Sequence, residues 1–307
     1  MCCLFGFYHY GNRPLKNLVE LTQSLAEQAT DRGMDATGMA YNENGRMIIY
    51  KEAKSAYRVK LNHPDTVKCV TGHTRHATQG DKKHNYNNHP FGGNCRNLRF
   101  ALSHNGILYN DADLQKKYNL PKTKIETDSF VAVQLLEQQK QLDIKSVRFM
   151  AEQVEGSFAF SILDNSDVLW LIRGDSPLSI VHFPKKALYV YASTDEILYK
   201  ALAETELLED VKDGDFTVLK IKQGDILRIL PNGSLKRDTF RYETFTHYAC
   251  MNWWGFSKST TAATKNDYID DLKAVAVYMG YPPESIDKML KDGFTPEEIE
   301  DYIYCYE

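Results

Sequence analysis

The chain has 307 residues, of which 43% are hydrophobic and 25% charged, and a formal net charge of −4. That apolar content supports a full core in a chain longer than an average single domain, and the mildly acidic balance lacks the concentrated basic surface that nucleic acid or an anionic membrane would need. No apolar run approaches the ~20 residues of a membrane span, and the N-terminus lacks the basic, apolar and small-residue regions of a secretory signal.

The first segment, "CCLFGFYH", is short and apolar and is predicted as a strand; it puts Cys2 and Cys3 directly after Met1. Leu15, Leu18, Leu21 and Leu25 then recur at helical spacing, with Gly33 placed to end that helix. "ATGMAYNENGRMIIYKEA" reads as a strand, a turn at Asn44-Gly45 and a second strand. From residue 69 to 245 short β-like runs dominate: "KCVTGHTR", "FALSHNG", "SFAFSILD", "VLWLIRG", "SIVHF", "ALYVYAS", "FTVLKI" and "DILRIL". Helices are predicted over "DSFVAVQLLEQQKQ" and "IKSVRFMAEQVE". Strand runs with helices grouped before and between them imply layered α/β or α+β packing.

A polar, aperiodic stretch, "FSKSTTAATKN" (residues 256–266), reads as a linker. It divides a main domain, 2–255, from a small helical bundle, 267–307, in which breaks at Gly280–Pro283 and Asp292–Pro296 separate three short helices. Thr295 and Glu298 form a capping-box pattern there. The six cysteines, Cys2, Cys3, Cys69, Cys95, Cys250 and Cys305, include no C-x-x-C pair. No zinc site or other metal centre is therefore expected, and the thiols read as reduced ones of a cytoplasmic protein.

The opening cysteines have two readings. They are ordinary small apolar residues of a first strand, or Met1 is removed and Cys2 carries a thiol and a free α-amine together. A free α-amine has a pKa near 7.7–8.0, close enough to neutrality to act as a base beside a nucleophilic sulfur. Further segments bear on the choice. "GHTRHATQG" gathers Arg75, His76 and Thr78, and a guanidinium fork suits a carboxylate, although a surface ion pair is the plainer use of one Arg. "SHNG" offers the Asn105 amide and the Gly106 N–H as an oxyanion hole, or simply an Asn-Gly turn. Asp128 in "ETDSF" caps a helix or accepts an ammonium. A nucleophile, a base, an oxyanion hole, a carboxylate clamp and an ammonium acceptor together specify a free amino acid with a side-chain amide: glutamine, or else asparagine.

These segments resemble the class II glutamine amidotransferases, the N-terminal-nucleophile hydrolases that include the glutaminase domains of glucosamine-6-phosphate synthase and amidophosphoribosyltransferase. The ordered matches are Cys2 with "LFGF", "RGMDATGMA", "GHTRHAT", "NNHPF", "SHNG", "ETDSF", "EGSFAF", "RGDSPL" and "YASTDEIL", spanning residues 2–245. The resemblance implies an α+β fold, a four-layer αββα sandwich. It implies Cys2 as nucleophile with its own amine as base, Asn105 and Gly106 as the oxyanion hole, and Arg75 and Asp128 for the glutamine α-carboxylate and α-ammonium. Thr78 and His76 line the same loop. No cofactor is implied.

Three positions depart from the family. Cys3 stands where many members have Gly, His76 replaces an aromatic residue, and Gln79 varies; all three bear on pocket shape. Family members continue into a synthase domain that consumes the ammonia, and 246–307 is too short for one. The expected partner is therefore a separate synthase or acceptor protein. "AVYMGYPPESIDKMLKDGF" is similar to ubiquitin-associated three-helix modules, or it forms a cap on the main domain. The other readings to weigh are a hydrolase of another γ-glutamyl amide and a non-catalytic glutamine-binding or interaction module.

Overall fold

The computed structural model describes residues 2–96, 98–242 and 282–292, with single positions 269, 273, 294 and 299. The chain forms two compact units, Met1–Thr246 and His247–Glu307. The expected linker, 256–266, lies outside the described residues.

In the first unit the strands run, in chain order, β1 (Cys3–His9), β2 (Ala36–Glu43), β3 (Arg46–Glu52), β4 (Cys69–Arg75), β5 (Phe91–Cys95), β6 (Leu98–Leu108), β7 (Gly156–Asp164), β8 (Leu169–Arg173), β9 (Ser179–Phe183), β10 (Leu188–Ala192), β11 (Thr217–Val218), β12 (Asp225–Ile229) and β13 (Leu235–Thr239). The helices are α1 (Leu18–Gln28), α2 (Asp111–Lys117), α3 (Phe130–Gln139), α4 (Ile144–Gln153), α5 (Asp195–Ala203) and α6 (Leu207–Lys212). Two antiparallel sheets result, ordered β11-β9-β10-β1-β4-β2-β3 and β13-β12-β8-β7-β6-β5.

Strand alternation sorts the side chains into three apolar layers. Cys3, Phe5 and Phe7 of β1 point outward and pack with Leu21 and Leu25 of α1 and Ile197 and Leu202 of α5. Leu4 and Tyr8 point inward and meet Leu163, Leu171 and Leu227 of the second sheet. Behind that sheet, Phe100, Leu102, Phe158 and Phe160 pack on Val131 and Leu135 of α3 and Val147 and Met150 of α4. The order is helix, sheet, sheet, helix: the αββα sandwich. A strand buried on both faces reads as a continuous apolar run, which is why β1 and β7 show no polar alternation.

Polar pins cross the layer between the sheets. Thr71 and Ser161 share a hydrogen bond of 2.8 Å, and the Tyr191 hydroxyl bonds Thr71 at 2.9 Å. His73 Nε2 donates across the gap to the His104 carbonyl at 2.9 Å.

Some expectations shift. Helix α1 begins at Leu18 rather than Leu15, after Asn17 turns left-handed at φ 64°, and it ends five residues before Gly33. Gly33 serves another purpose: a Cβ there would sit 2.7 Å from the Arg75 carbonyl carbon and 2.9 Å from Thr74 main-chain atoms. The glycine lets this loop lie flat on the end of β4. "FTVLKI" supplies only the two-residue, exposed β11. In the second unit a helix spans Pro283–Lys291, starting at the predicted Gly280–Pro283 break with proline in its first turn; the other two predicted helices fall on residues outside those described. No described helix is long and apolar enough to cross a membrane.

Candidate functional site

The site forms where strand ends of both sheets meet over the gap between them. Cys3 pairs with Thr74 in the β1–β4 ladder, so Cys2 lies beside the end of β4 at Arg75. Arg75 has the parity of Thr71 and His73, which pin the sheets together, and so it faces the gap. On β6, Phe100 and Leu102 belong to the outer layer, which leaves Asn105 facing the gap as well.

Cys2 is half-buried. Its Sγ lies 3.5 Å from the His76 carbonyl, and its own carbonyl accepts from Arg32 Nε at 3.2 Å. Burial pushes the thiol up and outweighs the pull of the His76 main chain and the Arg75 guanidinium; Asp128 adds a further upward push. The Cys3 thiol, fully buried on the opposite face, is pushed up to about 11 by burial.

Arg75 is buried, and its fork is occupied. Nη1 donates to Asn88 Oδ1 at 2.7 Å, and Nη2 donates to the Gln79 and Gly80 carbonyls, the latter at 3.1 Å. The loop 76–80 thus curls over its own arginine. His76 and Thr78 are exposed on that loop, not aimed at the sulfur, and His76 Nδ1 is 4.0 Å from Asp35.

Asp128 is buried at the entry to α3. Leu108 N–H donates to Oδ2 at 2.7 Å and Ser129 Oγ to Oδ1 at 3.2 Å. A carboxylate accepts at about four positions, so capacity is left for an ammonium. Asn105 is buried and its Nδ2 reaches Ser193 Oγ at 3.3 Å. Gly106 follows at φ +140°, where a Cβ would come within 1.9 Å of the Ser157 carbonyl oxygen. No other residue type fits there.

The structure therefore brings Cys2, Arg75, Asp128 and Asn105-Gly106 to one place and leaves His76 and Thr78 on its rim. Several supporting residues had no role assigned from the sequence, although Asn87 and Asn88 lie in the matched "NNHPF" segment. Asn88 positions Arg75, and Asn87 holds Glu126 through both its side-chain ends, Oδ1 at 3.0 Å and Nδ2 at 2.8 Å. His104 Nδ1 meets Ser129 Oγ at 2.8 Å, one step behind Asp128. A buried Asn-Asn pair in "NNHPF" was the available clue, since buried amides must be paired. His73, His89 and His104 pack together, with the first two rings 4.2 Å apart. Burial holds all three below the usual histidine range, His73 at about 3. They are neutral and leave Arg75 as the positive charge facing the sulfur. No group of metal-ligating side chains occurs among the described residues.

The loop is anchored by Asp35, which accepts from Ala77 N–H at 2.9 Å and Lys82 Nζ at 2.6 Å. Burial alone would raise its carboxyl; the Ala77 and Lys82 bonds outweigh that and hold it below the ordinary 3.8. A depressed carboxyl contributes stability that is fully present above the unfolded value and is lost as pH falls through the folded one. Melting curves of the parent and Asp35→Asn should therefore differ most above pH 4 and converge on acidification below it. A constant difference down to pH 2.5 would refute the anchoring role.

Residues 73–200 match the glutamine amidotransferase domain family. Curated relatives include glutamine–fructose-6-phosphate aminotransferase (isomerizing) of Bacillus anthracis, 31% identical over 188 residues, 59% of this chain and 30% of that protein. The enzyme of the same name from Listeria innocua serovar 6a is 27% identical over 261 residues, 81% of this chain and 42% of that protein. The chain spans less than half the length of either relative. Among solved structures, glutamine phosphoribosylpyrophosphate amidotransferase from B. subtilis aligns with a TM-score of 0.59 at 20% identity, covering 79% of this chain and 50% of that one. A structure described as the allosteric regulatory enzyme of purine biosynthesis aligns at 0.61 and 20%, covering 90% and 58%. At 20% identity these likenesses show the fold that this chain shares with those structures.

Proposed function

We propose that this chain, which carries a glutamine amidotransferase domain, is a class II amidotransferase that hydrolyses the side-chain amide of glutamine through a Cys2 thioester. The observation that carries this reading is the convergence of one half-buried thiol, a buried guanidinium, a buried carboxylate and an Asn-Gly pair at the same end of the two sheets.

In this mechanism Met1 is removed and Cys2 presents its α-amine beside its sulfur. Burial keeps thiolate scarce at neutral pH, so attack needs a proton acceptor at hand, and the amine is that acceptor. The sulfur adds to the amide carbonyl, and Asn105 Nδ2–H and Gly106 N–H take the developing oxyanion. Ammonia leaves with the proton held by the amine, and water then hydrolyses the γ-glutamyl thioester. Arg75 and Asp128 hold the α-carboxylate and α-ammonium, which fixes the amide over the sulfur. The substrate carboxylate displaces the Gln79 and Gly80 carbonyls from Arg75. A charged acceptor makes the stronger hydrogen bond, so the exchange favours the bound state. The ammonia passes to an acceptor or to solvent.

Intact mass of the purified protein, with ammonia release measured on glutamine, asparagine and γ-glutamyl amides, tests the proposal. The expected result is a chain lacking Met1 that prefers glutamine. A chain that keeps Met1 and releases no ammonia would instead favour a binding module, and a preference for γ-glutamyl amides would replace glutamine as the substrate.

A further inference from the structure

Ser193 joins the two halves of the candidate site through one hydroxyl. It follows the last residue of β10, where the chain turns away from β1 into α5. In a regular ladder the Leu4–Ser193 pair would exchange two main-chain hydrogen bonds. One is present: Ser193 N–H donates to the Leu4 carbonyl at 2.9 Å. The other is replaced, because the Leu4 N–H donates to Ser193 Oγ at 2.8 Å. The side chain thus closes the ladder of the strand that carries Cys2, two residues from the sulfur.

The same oxygen accepts from Asn105 Nδ2 at 3.3 Å, on the facing sheet. A serine hydroxyl has two acceptor sites and one proton. Leu4 and Asn105 fill the acceptor sites, while the Cys3 thiol donates instead to the Leu4 carbonyl at 3.2 Å. Ser193 is fully buried, so no water competes for these positions. An amide NH2 carries two hydrogens; with one fixed on Ser193, the plane of the Asn105 amide is set and the second hydrogen has a defined direction. Neither residue could hold this arrangement from its own strand, since Asn105 sits on β6 and Cys2 precedes β1.

We propose that Ser193 is a positioning residue that aims the Asn105 amide at the carbonyl attacked by Cys2 and holds the two sheets' contributions in mutual register. The assignment rests on the amidotransferase reading above.

The test compares the parent with Ser193→Ala and Ser193→Thr in the full chain. Active sites are first counted by covalent labelling with a glutamine-like chloroketone, so that any misfolded fraction is removed from the rate. With ammonia release normalised to labelled sites, Ser193→Ala should lose about 10- to 100-fold in kcat, a part of the loss expected for deleting an oxyanion donor outright. Its KM for glutamine should stay within about threefold, because Arg75 and Asp128 are untouched and an interaction made only in the transition state moves kcat. Ser193→Thr, which keeps the hydroxyl, should recover most of the rate. A per-site kcat for Ser193→Ala within twofold of the parent, or a loss confined to KM, overturns the assignment. A parent that neither takes the label nor releases ammonia overturns the amidotransferase reading and this assignment with it.

Discussion

Cys2→Ala should abolish ammonia release from glutamine, with a fall of about 10⁴-fold or more in kcat and melting within about 0.5–1 kcal/mol of the parent. The two halves of this expectation have separate causes. The side chain is half-buried, and the polar contact it makes is a 3.5 Å approach to the His76 carbonyl, so little packing is lost. The chemistry, in contrast, has no substitute. Cys3 is adjacent in sequence but faces the outer apolar layer with Phe5 and Phe7. Its thiol is pushed up to about 11 by burial, and its neighbours are the side chains of α1 and α5 rather than Arg75. Cys2→Ser, measured in parallel, replaces the sulfur with a poorer nucleophile while keeping the hydrogen-bonding shape. Full activity in Cys2→Ala, or its transfer to Cys3, would end the thioester mechanism.

Gly106→Ala should damage both fold and rate. The atoms a Cβ would strike are main-chain atoms: the Ser157 oxygen at 1.9 Å, its carbonyl carbon at 2.6 Å and Phe158 Cα at 2.9 Å. None can swing aside as a flexible side chain would. The backbone angle, φ +140°, is also one that alanine adopts only under strain. β6 must part from β7 at this point, at an expected cost of about 2–4 kcal/mol, read as a melting temperature lower by about 5–15 °C. Because the Gly106 N–H moves with the strand, kcat per labelled site should fall by about 10²-fold or more. Gly45→Ala is the control. It has a positive φ of 74° but nothing within 4 Å of the added carbon, so it should cost only the backbone strain of a left-handed L-residue, about 1–2 kcal/mol, and leave the rate alone. A Gly106→Ala enzyme with parental kcat would show that this N–H is not part of the oxyanion hole.

The sequence made much of this legible, and for a definite reason. β1, β4, β7 and β10 are buried along their length, and a mostly apolar run bounded by turn residues, as in β1 and β10, survives local competition. Cys2 and Arg75 stood out at the ends of such runs, Asn105-Gly106 within the SHNG motif of β6, and Asp128 just before α3. What was not legible is which way the loops fold. His76 and Thr78 share a motif with Arg75 yet lie exposed, since the loop's course is set by Asp35 and Lys82 from elsewhere in the chain. The supporting polar residues left even less trace. Ser193 is 189 positions from Leu4, and Asn87 is 39 from Glu126. A single hydroxyl or amide has no periodicity, so only the folded chain identifies its partner. β5 escaped notice because its sequence, FGGNC, has the composition of a turn; it becomes a strand by pairing with β6.

The pins across the inner layer give the sandwich a second property. Thr71–Ser161 and His73–His104 lie four and two residues behind Arg75 on the same face of β4. They work like spacers in a vice. The width of the jaws, with Cys2 on one and Asn105 on the other, is set by the thickness of the material clamped behind them. Protein interiors are packed too densely to absorb an added methylene without displacement. The inner layer is therefore the part of the fold in which a change of side-chain volume, distant from every reacting atom, is transmitted to the gap in which the amide must be held.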